Sequence, residues 1–259
     1  MNIIISGYGK MGRLIEEMAA ARGLKVAAVV DPLFDGVSKS GAAVYKTLSE
    51  LPQGGVNFQP AVVIDFTRPD AAFENIKAAA ERGFPAVVGT TGWYEKAGEA
   101  ESFVKNHNGA LLYAPNFALG VQLFYKILAE ASMLINKFDD YDVAGFEAHH
   151  NKKADSPSGT AKSMAELILK NFKRKKRAVY DKLDRPPLPE ELHIASVRLG
   201  AVPGTHAVVF DSISDSIEIR HTTRNREGLA GGALFAAAWL GERFNAGARG
   251  IFTLEDVLS

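Results

Sequence analysis

The stretch "NIIISGYGKMGRLIEEMAAARGLKVAAVVD", residues 2–31, decides how the rest of the chain is read. Asn2 to Ser6 is a short apolar run that stops at Gly7 and reads as a strand. Leu14, Ile15, Met18 and Ala19 then recur at helical spacing, and Gly23 suits the helix C-cap. "LKVAAVVD" follows as a second buried strand ending in Asp31. Between strand and helix, Gly7, Gly9 and Gly12 spell G-x-G-x-x-G in the context that gives the motif meaning. The three glycines would serve a tight turn, close approach of backbone to a pyrophosphate, and helix-on-sheet packing. A glycine turn also serves plain packing or another nucleotide. Asp31 favours the dinucleotide, because a carboxylate about 20 residues past the motif accepts hydrogen bonds from the adenosine ribose.

Asp31 also bears on the choice of cofactor. A carboxylate there repels a 2′-phosphate, and the next residue is Pro32 rather than an arginine that could pair with one. NADH is therefore the expected cofactor, with Lys10 and Lys39 as phosphate partners that leave NADPH open.

Outward from this unit, strand and helix keep alternating. "AVVIDFT" (61–67) is a strand, "RPDAAFENIKAAAERG" a helix entered at Pro69 and Asp70 and left at Gly83. "PAVVGTTG", a further helix and "ALLYAPNF" complete a pattern that predicts a Rossmann-type parallel sheet domain over residues 1–117. "GTTG" (89–92) and "APNF" (114–117) fall at carboxyl ends of strands, where ligands of such sheets bind. The second half changes rhythm. After the helix "VQLFYKILAEASMLI", "DYDVAGFEAHH", "HIASVRLG", "HAVVFDS" and "DSIEIRHTT" read as strands separated by turns. They predict an α+β domain over 118–226 with a mixed, mostly antiparallel sheet. The small-residue helix "EGLAGGALFAAAWLGERF" opens a final segment, about 227–259, expected to return to the first domain.

Composition narrows the function classes. The 259 residues carry 30 basic and 30 acidic side chains, so no global field favours nucleic acid or an anionic membrane. The basic run "KRKKR" (173–177) lacks interleaved aromatics and reads as a solvated helix end and loop. With no cysteine, thiolate metal sites and a cysteine nucleophile are excluded, and a reducing compartment suits the chain. The N-terminus reads as a first strand rather than a signal peptide, and no apolar run approaches a membrane span. A cytoplasmic protein is expected.

"EAHHNKKADSPSGTA" (147–161) concentrates proton carriers beside a helix start. His149 and His150 end a strand and Lys153 follows in a loop. Ser156 is expected as the N-cap and Pro157 at N1, leaving the Ser158 and Gly159 amides, with the Thr160 hydroxyl, as a cradle for a carboxylate. Each piece has a plain structural use on its own. Their coincidence with a dinucleotide turn points to a redox site for an anionic substrate. Zinc is not expected, because adjacent strand residues project to opposite faces and no third ligand is evident.

The motif E-A-H-H-x-x-K-x-D-x-P-S-G-T-A resembles the signature of the dihydrodipicolinate reductase (4-hydroxy-tetrahydrodipicolinate reductase) family of lysine biosynthesis. "DFTRP", "VVGTTGW", "APNFALGV" and "EIRHTTRNREGLAGGALFAAAWL" resemble its other blocks, in order, over nearly the whole chain. The resemblance implies reduction of a cyclic dicarboxylate imine by hydride from NAD(P)H, in a homotetramer. It implies that His149 and Lys153 carry protons and that His150, Gly159 and Thr160 bind substrate carboxylates. Gly7, Tyr8, Gly9, Lys10, Met11, Gly12, Asp31, Gly89, Thr90, Thr91, Ala114, Pro115, Asn116 and Phe117 would bind the cofactor. Arg226, or its neighbour Arg224, falls near a basic residue of the family site. The glycine turn is one residue shorter than the G-x-x-G-x-x-G of many members, and the segment from Asp31 to Pro60 is compact. Lys153, with Lys152 or a protonated histidine nearby, would supply the proton that neutralises electron density displaced by the hydride. A redox-sensing regulator would want a DNA-reading helix pair and a basic face, which are lacking. An aspartate or homoserine dehydrogenase would share the glycine turn but not the His-His, Lys and Ser-Gly-Thr combination.

Overall fold

The computed structural model describes residues 1–52, 58, 60–180 and 182–259. The end of the compact 31–60 segment, residues 53–57 and 59, lies outside that set. The chain runs β1 (Asn2–Ser6), α1 (Lys10–Ala19), β2 (Lys25–Val30), β3 (Ala43–Tyr45), β4 (Ala61–Asp65), α2 (Pro69–Glu81), β5 (Ala86–Val88), α3 (Ala97–Asn106) and β6 (Ala110–Tyr113). It continues with α4 (Leu119–Ile135), β7 (Asp142–His149), α5 (Gly159–Asn171), β8 (Arg177–Tyr180), β9 (Glu191–Arg198), β10 (Thr205–Asp211) and β11 (Ser216–Thr222). The last elements are α6 (Glu227–Asn245), β12 (Gly250–Phe252) and α7 (Leu254–Leu258). Two compact units result, one of Met1–Leu119 with Arg226–Ser259 and one of Gly120–Asn225.

The first unit holds a seven-stranded sheet in the order β12-β6-β5-β4-β1-β2-β3, parallel at every pairing. Its strands are apolar on both faces because helices cover both. Ile3, Ile5, Val29 and Ile64 point toward α1 and α6, whereas Ile4, Ala28, Val63 and Val88 point toward α2 and α3. Burying side chains of this size stabilises by roughly 1.5–3 kcal/mol each. The helix signals hold locally: Gly23 caps in the left-handed conformation at φ +69°, and Pro69 opens α2. The small residues of α6 let it lie against backbone. A Cβ on Gly232 would fall 1.7 Å from the Phe117 carbonyl oxygen.

The second unit holds a five-stranded mixed sheet in the order β11-β10-β7-β9-β8. β10 is antiparallel to β7 and β11, and β9 is parallel to β7 and β8. The sheet is mixed as expected, and the antiparallel share is half rather than most. The reason is α5, a crossover that lets later strands run alongside β7 in its own direction. Phe124 and Leu128 of α4, with Met164 and Ile168 of α5, pack against Val143, Ile194, Val208 and Phe210.

The basic run departs from its expectation. Lys175 is buried, with Nζ 2.5 Å from Asp142 Oδ1, and Arg174 and Arg177 pair with Asp139 and Glu191 at 2.7 and 2.8 Å. Arg177 already belongs to β8, and carboxylates from other segments of the chain hold most of the run. No helix among the described residues is long and apolar enough to cross a membrane.

Candidate active site

In the first unit the glycines of the turn have three different surroundings. Gly7 sits at φ +87°, and a Cβ there would meet the Phe66 carbonyl oxygen at 2.4 Å. At Gly12 a Cβ would meet the Gly7 carbonyl oxygen at 2.1 Å, so α1 packs directly on the turn. At Gly9 a Cβ would meet nothing within 4 Å. Two glycines thus build the turn, and the middle one keeps open the place where backbone can approach a pyrophosphate. The turn lies at the topological switch point, since β1 has β2 on one side and β4 on the other.

Asp31 braces this turn. Its Oδ2 accepts the Tyr8 N–H at 2.7 Å and its Oδ1 the Leu33 N–H at 2.9 Å. A cleft of about 520 Å³ runs past Gly7, Gly9, Asp31, Lys46, Phe66 and Thr67. Tyr8 is buried under Phe34, and its hydroxyl donates to Glu16. Glu16 also takes the Ser40 N–H at 2.9 Å. Lys39, read as a phosphate partner, pairs with Glu17, while Lys10 is exposed.

The loops after the other strands are tied by one buried carboxylate at the end of β4. Asp65 accepts from Ser6 Oγ at 2.8 Å, Thr90 Oγ1 at 2.6 Å, Thr67 Oγ1 at 2.9 Å and Asn75 Nδ2 at 2.8 Å. It thereby fixes the end of β1, the "GTTG" turn and the start of α2 together. Gly89 and Thr90 are placed by it, and Thr91 is exposed. Ala114 and Phe117 are buried, Pro115 is exposed, and Asn116 Oδ1 accepts the Ala118 N–H at 2.9 Å. The anchor itself was not foreseen, although "DFT" and "TT" place three of its groups in the sequence.

In the second unit, sheet register assembles the chemistry. Residues two apart on a strand share a face, so Glu147 and His149 of β7 lie on one side and His150 is directed to the other. His206 of β10 stands opposite Glu147, and Arg198 of β9 stands beside His149. Glu147 is fully buried. Its Oε1 accepts from Arg198 Nη2 at 2.9 Å and from the Ser158 N–H at 3.1 Å, while Oε2 lies 2.5 Å from His149 Nδ1. Burial by itself would raise the Glu147 carboxyl, but Arg198 and Ser158 outweigh it and hold the group down at about 2. Burial lowers His149, against the opposing pull of Glu147, and pushes His206 down to about 4 with His149 adding to the effect.

Lys153 follows in the loop, its Nζ 2.7 Å from Asp155 Oδ1, and Arg198 Nη2 reaches the Asp155 carbonyl at 2.6 Å. The cap of α5 is Ser158 rather than Ser156. Ser158 is extended at φ −66° and ψ 159°, and its Oγ accepts the Ala161 N–H at 3.2 Å. Its own N–H is spent on Glu147, so Gly159 and Thr160 supply the open amides of the first turn. Arg224 and Arg226 are exposed. Sequence reading missed Glu147, Arg198 and His206 as a group; the E-x-H spacing signals the first, but the other two depend on strand register.

Glu147, His149 and His206 offer ligand atoms within 4.8 Å of one another, a grouping a metal ion can use. Zinc ligands in a tetrahedral shell stand about 3.3 Å apart. The 2.5 Å between Oε2 and Nδ1 is shorter, and Arg198 already neutralises the carboxylate. The spacing fits a proton held between the two groups.

A parallel sheet with an open glycine turn at its switch point, in a chain that also buries paired histidines beside a helix start with free amides, is the arrangement of a nucleotide-dependent oxidoreductase. The family model "Dihydrodipicolinate reductase, N-terminus" matches residues 1–117, and "Dihydrodipicolinate reductase, C-terminus" matches 120–258. The 4-hydroxy-tetrahydrodipicolinate reductase of Christiangramia forsetii is 37% identical, over 100% of this chain and 98% of its own. That of Chromobacterium violaceum is 36% identical over 99% and 97%. The solved structure of dipicolinate-bound dihydrodipicolinate reductase from Paenisporosarcina sp. TG-14 has the same fold, with a TM-score of 0.77 at 24% identity, covering 98% of this chain and 97% of its own. The chain belongs to the dihydrodipicolinate reductase family, NAD(P)H-dependent oxidoreductases of the lysine and diaminopimelate pathway.

Proposed function

We propose that the chain reduces 4-hydroxy-tetrahydrodipicolinate to tetrahydrodipicolinate, with loss of water, using hydride from NADH in preference to NADPH. The observation that carries this reading is the grouping on one short segment of the buried His149, Lys153 and the open amides of Gly159 and Thr160. When bound, the reduced nicotinamide supplies the hydride. The glycine turn fits its pyrophosphate, since Gly9 leaves the approach clear and the N-terminus of α1 carries partial positive charge. Tyr8, Lys10, Met11, Gly89, Thr90, Thr91, Ala114, Pro115, Asn116 and Phe117 line the loops that would hold the rest.

The substrate carries two carboxylates. Gly159 and Thr160 would receive one through the first turn of α5, and His150 would face the other. Lys153, released from Asp155, would deliver the proton that neutralises the density displaced by the hydride, with His149 as the proton exchanger beside it. Such acid assistance contributes about 10²- to 10⁴-fold. Asp31 supports the NADH preference, because two backbone amides fix its carboxylate where a 2′-phosphate would have to sit. Half-exposed Val197 and Leu199, at the end of β9, suit the homotetramer expected of the family, and a cytoplasmic location suits its pathway.

The test is a coupled assay with pyruvate, aspartate semialdehyde and the preceding synthase, following nucleotide oxidation with NADH and NADPH in parallel. Oxidation that needs every component supports the reductase, and a higher kcat/KM with NADH supports the preference. Equal or better kcat/KM with NADPH overturns the preference. Binding of cofactor without oxidation withdraws the roles given to His149 and Lys153. A monomer by light scattering at micromolar concentration overturns the tetramer.

A further inference from the structure

Glu147 has no part in the reaction as described so far, yet it is fully buried and joins three elements of the second unit. It sits one register step from His149 on the same face of β7, and the sheet keeps water from it. One oxygen is committed to Arg198 and to the Ser158 amide at the head of α5. The other oxygen and His149 Nδ1 lie 2.5 Å apart. Two lone pairs at that distance repel, so a proton must lie between them. Arg198 keeps the carboxylate ionised, which leaves the proton on the imidazole. On the other side of the ring, Gly204 turns back so that a Cβ would stand 3.0 Å from Nε2, and the missing side chain leaves that nitrogen room.

We infer that Glu147, held by Arg198, is a positioning residue that keeps the proton of neutral His149 on Nδ1 and so makes Nε2 the nitrogen that exchanges protons with the substrate. The inference rests on the reductase reading for its catalytic consequence, but the placement of the proton does not. The same Arg198 nitrogen holds the Asp155 carbonyl, so the pair also sets the loop that carries Lys153. One buried ion pair therefore aligns both proton carriers and the anion-binding start of α5. Conformationally, this is what a buried pair does well; it costs desolvation and returns a fixed geometry.

Several charged groups face His149 from the packed elements: Glu147 on its own strand, Arg198 on β9, His206 on β10 with its ring centroid 5.1 Å away, and Lys153 with Asp155 in the following loop. His221 on β11 reaches it only through His206. Among these the Glu147 charge is the main one raising the pKa of His149. Removing that charge must therefore move the protonation of His149 to lower pH, an effect that a loss of packing alone would not produce.

The experiment uses the full-length protein labelled with ¹⁵N-histidine, with His149→Asn identifying the signal, and steady-state kinetics on Glu147→Gln and Glu147→Asp. Expected for the wild type is the Nδ1–H tautomer at pH 8. In Glu147→Gln the side-chain amide offers a donor to Nδ1, so the tautomer reverses, kcat falls on the order of 10²-fold, KM changes less than threefold, and the kinetic limb of His149 moves to lower pH. Glu147→Asp, which retains the charge, returns that limb toward the wild-type position. A wild-type Nε2–H tautomer overturns the inference, as does a Glu147→Gln enzyme within twofold of wild type with an unmoved limb. Should Glu147→Gln not fold, the wild-type tautomer and Glu147→Asp decide. If the wild-type chain oxidises no nucleotide with this substrate, the reductase reading falls while the nitrogen signals still judge the placement of the proton.

Discussion

Both units bury carboxylates, and they satisfy them with different partners. In the first, Asp65 is surrounded by hydroxyls and an amide, and Glu16 by hydroxyls and backbone N–H groups. None of these donors changes charge near neutral pH. In the second, Glu147 is held by a guanidinium and lies against two histidines whose protonation burial has displaced. Neutral donors make a rigid seat whose shape is indifferent to pH, which is what a nucleotide needs. Titratable partners make a site that can hold and release a proton. The division of labour in the proposed reaction is thus visible in how each unit neutralises its buried charge.

The largest expected effect separates chemistry from cofactor binding. His149→Ala and Lys153→Ala each lower kcat by about 10²- to 10⁴-fold and leave nucleotide affinity, measured by fluorescence titration, unchanged. Near-wild-type turnover in both breaks the comparison. Gly12→Ala does the converse. Its Cβ would stand 2.1 Å from the Gly7 carbonyl oxygen, which must displace the turn at a cost of about 2–3 kcal/mol. Nucleotide affinity, measured by the same titration, falls by roughly 30- to 150-fold.

A smaller effect appears with pH. Burial makes folded His206 harder to protonate than the unfolded chain, so the unfolded state takes the proton first. Its contribution is complete above pH 6.5 and is lost as pH falls toward 4. At pH 5 the loss is about 2 kcal/mol, and below 4.5 protonation of Glu147 in the unfolded chain adds to it. Hydrogen exchange at pH 8 and pH 5, corrected for intrinsic rates, should show residues 120–225 losing protection while 1–119 hold theirs. Equal loss in both would mean that the buried histidines do not set the difference. The smallest effect concerns cofactor choice. Asp31→Asn keeps an acceptor for the Tyr8 amide and removes the charge, so the NADPH to NADH ratio of kcat/KM rises about tenfold.

Much of this was legible without coordinates. The glycine spacing, the helix periods and the caps at Gly23 and Pro69 are local signals, and together they define the parallel sheet. The strands that escaped notice, β3, β8 and β12, have three or four residues and lie at sheet edges. Such strands are too short to show an alternating pattern and take their conformation from the neighbour they pair with. The basic run misled for a related reason, since the carboxylates that hold Lys175 and Arg177 are distant in sequence.

Within residues 147–161 the residue types and their order sufficed to place His149, Lys153 and the helix start on one segment, because chemistry of that kind is written over a few consecutive positions. Sequence alone therefore determined the family and the class of reaction. It pointed to Ser156 as the cap of α5, and only the backbone conformation of the folded chain shows that Ser158 takes that place. Tertiary structure alone decided that His206 and Arg198 flank Glu147, and that Asp65 ties three loops into one seat. Strand register and the partners of buried charges arise from contacts between segments tens of residues apart, and no local pattern of side chains encodes which of them will meet.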